Sequence, residues 1–157
     1  MRKEIDSIIT NLQDVLVGKP WFGRPLYNML EEVHPAVVFK KPNEDAHSLI
    51  DLLYHMITWA EYTRDRLKGI QEDPENSDSM DWRMIDPLEH TWVRAMNEIR
   101  SIHEEIIMLL SNKEDNFLEE QVATRKYSFR FLLNGLIQHN IYHLGQIAYV
   151  KKWLVAD

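Results

Sequence analysis

His139 and His143 stand one helical turn apart in the run Gln138-His139-Asn140-Ile141-Tyr142-His143-Leu144-Gly145-Gln146. Alternating steps of three and four put Leu132, Leu136, His139, His143, Gln146, Val150 and Trp153 on one seam that a helix would turn toward a core. Three adjacent positions of that seam are polar, and a buried imidazole or amide without a partner costs roughly 1–3 kcal/mol. Something inside the fold should therefore bond to them. A metal ion is the leading candidate, because side chains at i and i+4 lie about 6 Å apart on one helix face and two imidazoles can converge on one ion.

A third ligand has to come from another helix. His34 precedes Pro35, His47 follows a proline-containing stretch, and His90 falls in the first turn of its helix, which leaves His55 and His103 deep within helical sequence. His55 adjoins the apolar stripe Leu49, Leu53, Met56, Ala60 and Leu67, whereas His103 lies one residue off the seam of its own helix. His55 is the better third ligand and His103 stays outside the site.

At these residues the chain resembles the DinB-like (YfiT-like) metal-binding four-helix bundles. The likeness is carried by His55 with Trp59 after it, by His139-x-x-x-His143-x-Gly145-Gln146, and by the turn Trp21-Phe22-Gly23-Arg24-Pro25-Leu26 leading into a short helix. The four-helix layout extends it over essentially the whole chain. In that family three histidines from the corresponding helices hold one divalent ion, often nickel or zinc, and the resemblance implies that role for His55, His139 and His143. Some members are S-transferases or isomerases that use a low-molecular-weight thiol, others are proposed metal-dependent hydrolases, and many have no known activity.

The elements that must position these residues can be read from periodicity and punctuation. A first helix is expected over 3–17, with Ile5, Ile8, Ile9, Leu12 and Leu16 on one face, stopped by Gly18 and Pro20. A short helix over 26–33 ends at Pro35. The second bundle helix spans 45–68 and stops at Gly69, which can take a left-handed closing conformation. The third starts at an Asp86 cap with Pro87 in its first position, and its seam runs Leu88, Trp92, Ala95, Ile99, Ile102, Ile106 and Leu109. The fourth covers 128–154. No strand-like alternation of useful length appears, so the expected fold is all-α: one four-helix bundle over residues 1–157 with an extra short helix between the first two.

Composition narrows the function classes. The 157 residues are 45% hydrophobic, enough for one core. With no cysteine, disulfides, a thiolate ligand and a cysteine nucleophile are excluded, and any thiol chemistry must use an external thiol. A cytoplasmic protein is expected, since the charged N-terminus reads as no signal peptide and no stretch approaches a membrane span. The net charge of -7 argues against a nucleic-acid partner. Arg125, Lys126 and Arg130 read as a solvated basic face with no ligand, and the acidic run 72–78 as a solvated linker without the glycine and terminal glutamate of a calcium loop.

Three imidazoles leave at least one coordination position for water or substrate, as in catalytic zinc sites. The expected function is a mononuclear metal-dependent enzyme on a small-molecule substrate, with thiol S-transfer ahead of hydrolysis and a non-catalytic metal-binding or ligand-binding bundle as the alternative. Gln146 is placed to orient a ligand or bound water, or else to pack as an ordinary bonded amide; Gly145 is expected to permit close helix approach; no general base is assignable. Trp59, Trp92 and Trp153 read as core or pocket wall. Glu31–His34 and Glu44–His47 have diiron spacing but lie outside long helices, and His103-Glu104 lacks the second histidine of a zinc-protease motif. A second apolar stripe, Leu133, Ile137, Ile141, Leu144 and Ala148, suggests a homodimer through bundle helices unless the short helix covers it; light scattering distinguishes the two.

Overall fold

The computed structural model describes residues 2–71 and 80–155, and the acidic run 72–78 lies outside them. Five α-helices form among the described residues: α1 (Lys3–Leu16), α2 (Leu26–Glu31), α3 (Leu49–Leu67), α4 (Trp92–Ser111) and α5 (Phe129–Val155). No strand forms there, and an isolated antiparallel bridge joins Gln121 to Ser128. The long helices make the expected all-helical bundle. α3 packs against α4 and α5, and α1 packs against the same two from the other side. Ile5, Leu12, Leu53, Met56, Ile57, Ile99, Ile106 and Ile147 fill the space between them.

The helix ends follow local chemistry. α3 starts four residues later than periodicity suggests, because Ser48 and Asp51 form a reciprocal capping box: the Ser48 hydroxyl oxygen accepts from the Asp51 amide at 3.3 Å and the Asp51 carboxylate accepts from the Ser48 amide at 2.9 Å. Gly69, at φ +80°, closes α3 as expected, with the Ile70 amide reaching back to the Asp65 carbonyl at 3.0 Å. The start of α4 is a correction. Asp86 closes a separate turn, accepting from the Leu88 amide on its carboxylate and from the His90 amide on its carbonyl, and Thr91 caps the helix instead. Leu88, expected in the seam, is 92% exposed, and the seam ends on Leu110 rather than Leu109.

α5 is the element that carries most of the site. Its seam is buried at Leu132, Leu136, His143 and Val150, but Trp153 at its far end is exposed. On its second stripe Leu133 and Leu144 are buried, with α1 and α2 packed against the helix, while Ile141 remains partly open. No helix among the described residues is long and apolar enough to cross a membrane.

Candidate metal centre

α3 contributes His55 and α5 contributes His139 and His143, and the bundle brings the three rings together. Ring centroids lie 4.3 Å apart for His139 and His143, 4.5 Å for His55 and His143, and 4.9 Å for His55 and His139. One ligand nitrogen from each lies within 4.8 Å of the others, and His55 and His139 face one another Nε2 to Nε2 at 3.0 Å. Two nitrogens at a tetrahedral angle about one zinc ion would be about 3.3 Å apart, so the spacing fits a shared ion.

The outward nitrogens fix the inward ones. His55 Nδ1 donates to the Asp81 carbonyl at 2.8 Å, and His143 Nδ1 donates to Gln146 Oε1 at 2.6 Å. A neutral imidazole with its proton on Nδ1 has its lone pair on Nε2, so both rings are held in the tautomer a metal ligand needs. Burial, then the neighbouring His143 and His55, holds the His139 pKa down to about 3, and burial also lowers that of His143. The His139 and His143 imidazoles are thereby held toward the neutral form. With the His55 proton on Nδ1, His139 Nε2 is the donor in the 3.0 Å contact to His55 Nε2, and His139 Nδ1 is buried without a hydrogen-bond partner among the described residues. So placed, His55, His139 and His143 could hold a cation in exchange for the His139 proton.

The segment after residue 80 clamps the group from outside. Trp82 stacks on His55 with centroids 3.9 Å apart and planes at 5°, and its opposite face stacks on His47 at 3.6 Å. The Trp59 indole donates to Asp81 Oδ1 at 2.7 Å, while Arg83 donates to Thr58 and Glu61 of α3. The sequence reading missed this segment altogether. Trp59 is a pocket-wall residue as expected, and Trp92 is a core residue whose indole donates to the Leu30 carbonyl.

The remaining histidines are placed elsewhere. His34 caps a short 3-10 turn, His90 accepts from the Asp86 amide, and His103 is buried between Tyr27 and Asn140. Gln146 holds His143, a hydrogen-bonding role that the sequence left open. Gly145 is a correction: a Cβ there would meet nothing within 4 Å, and it faces open space rather than another helix. Arg125 is a second, since it turns inward to donate to the Tyr62 hydroxyl at 3.0 Å, while Arg130 pairs with Glu119 and Glu4.

Two cavities flank the histidines. One, of about 270 Å³, is apolar and runs along Trp59, Leu132, Gly135 and Leu136 to His139. The other, of about 520 Å³, is lined by His47, Tyr142, Gly145 and Gln146. Gly135 resembles Gly145 in that a Cβ would meet nothing, so both mid-helix glycines of α5 border open volume.

Searches of curated proteins and of solved structures return no significant match. The family model of the DinB superfamily matches residues 24–147, a stretch that begins just before α2 and contains all three histidines. The chain belongs to the DinB superfamily.

Proposed function

We propose that this chain is a mononuclear divalent-metal enzyme whose ion, nickel or zinc, is held by His55, His139 and His143. It transfers a low-molecular-weight thiol to an electrophilic small molecule, with metal-dependent hydrolysis as the neighbouring chemistry. The observation that carries the reading is the fixed tautomer of His55 and His143, set by the Asp81 carbonyl and Gln146. A core that only needed to be filled would have no use for imidazoles oriented in this way.

When bound, the ion supplies Lewis acidity that eases deprotonation of a thiol or water and polarises an electrophile. The protein supplies position. Three imidazoles leave room for an exogenous ligand, and the apolar cavity that reaches His139 gives a reactant an approach. Trp59 and Trp82 wall the histidines against bulk water, and no cysteine competes with the external thiol. The same reading keeps the working form a homodimer that makes no use of nucleic acid.

Metal-loaded protein assayed with small thiols and electrophilic acceptors, and separately with ester and amide panels, is expected to turn over one of these classes. His143→Ala should abolish that turnover. Absence of activity across both panels, or activity unchanged by His143→Ala, would leave a binding bundle.

A further inference from the structure

The cavity that reaches His139 has walls without charge. Trp59 and Thr63 of α3 face Leu132, Gly135, Leu136 and His139 of α5 across it, and no Lys, Arg, Asp or Glu among the described residues lines it. Apart from His139, its polar side chains are already committed. Thr63 Oγ1 donates to the Trp59 carbonyl at 2.9 Å, the Trp59 indole donates to Asp81 Oδ1 at 2.7 Å, and the Tyr127 hydroxyl lies 3.4 Å from that of Tyr62. Burial pushes the Tyr127 pKa up, so this hydroxyl stays a neutral phenol. An ionised group seated here would lose its water and gain no counter-charge, a cost that exceeds even that of an unpaired neutral polar group.

The walls also suit a ring. Trp59, Tyr127 and Phe131 are aromatic, and such faces and edges pack well against another arene. Tyr127 and Phe131 pair their rings at 5.1 Å, and Phe131 is 66% exposed, which puts the opening at that end. His139 stands just over two turns further along α5, a rise of about 12 Å, with Trp59 edge-on to its ring at 6.3 Å. Gly135 lies between them, where a Cβ would meet nothing within 4 Å, so any longer side chain would project into the open volume. Glycine weakens a helix interior relative to alanine, and here it leaves the cavity unfilled. An apolar cavity of about 150 Å³ is enough to hold benzene. The cavity beside His139, at about 270 Å³, has room for a ring with a short reacting arm.

We propose that this cavity seats an uncharged aromatic electrophile, its ring between Trp59 and Gly135 and its reacting carbon at the His139 end, with Gly135 setting the size of ring admitted. The proposal names the acceptor class of the metal-enzyme reading and rests on that reading for the reacting end.

Anisole and benzoate, similar in size and different in charge, test the seat. Titrated into the isotope-labelled full chain with and without zinc, anisole is expected to shift the Trp59 indole and Gly135 amide resonances. It should bind at least about tenfold tighter than benzoate. Gly135→Leu should weaken anisole by at least about tenfold, with circular dichroism confirming the fold. Equal binding, tighter benzoate, silence of those two resonances or indifference to Gly135→Leu overturns the proposal. Turnover is read separately with 2-mercaptoethanol and benzyl chloride. The thiol sulfur bonds to the benzylic carbon as the carbon–chlorine bond breaks, chloride leaves with the bonding pair, and the thiol proton passes to buffer. The zinc-reconstituted chain is expected to favour benzyl chloride over 4-(chloromethyl)benzoate by at least about tenfold in kcat/KM. Zinc-dependent turnover without that preference overturns the seat. An anisole preference without zinc-dependent turnover supports the seat and counts against the metal reading instead.

Discussion

His143 is oriented by a residue less than one turn further along its own helix. The 2.6 Å bond from its Nδ1 to Gln146 Oε1 leaves the lone pair of the neutral ring on Nε2. Hydrogen bonds of this kind typically change metal affinity by 10–100-fold. Gln146→Leu is therefore expected to raise the zinc dissociation constant by at least about tenfold with helicity intact. Competition against a chromogenic chelator measures this, and unchanged affinity would contradict the role. The His139/His143 pair was legible because histidines one turn apart leave a mark in the sequence, and His55 was legible as a polar residue beside an apolar stripe. The Asp81 carbonyl was not, because a backbone group carries no residue signature. His47 and Trp82 also escaped notice, since only the tertiary fold stacks them against His55.

The helices were easier to read than their ends. Buried positions of α1 and α3 follow the expected stripes, because apolar periodicity is what packing selects. The start of α4 failed because Asp86-Pro87 is good capping chemistry in either of two places, and here it closes a turn of its own. Glycine inside α5 is another element-scale feature. Gly145 stands in mid-helix with open space where a Cβ would go, so alanine should relieve the conformational cost without a clash. Gly145→Ala is expected to raise stability by about 1 kcal/mol in urea unfolding. A loss of stability would mean that the position packs against something after all.

At the scale of the whole molecule, a second polar cluster ties the bundle together. Tyr27 on α2, His103 on α4 and Asn140 on α5 are linked through both ring nitrogens of His103, at 2.9 and 3.1 Å. Burial holds the His103 pKa down to about 4, against an ordinary value of 6.5. The unfolded chain thus binds a proton here that the folded chain refuses. Stability from this residue is full above pH 6.5 and falls as pH drops toward 4, by about 3 kcal/mol in total. Denaturant unfolding across that range should show wild type losing more stability than His103→Gln; parallel pH slopes would contradict this. The sequence set His103 aside from the metal group, and its burial partners come from two other helices that no local pattern identifies.

The central claim is that three histidines hold one ion. Elemental mass spectrometry of untagged purified protein, alongside His55→Ala and His143→Ala, tests it most directly. The account predicts about one nickel or zinc per chain, lost in both variants while helicity persists. Protein that carries no metal even after reconstitution, or variants that keep it, would contradict the account.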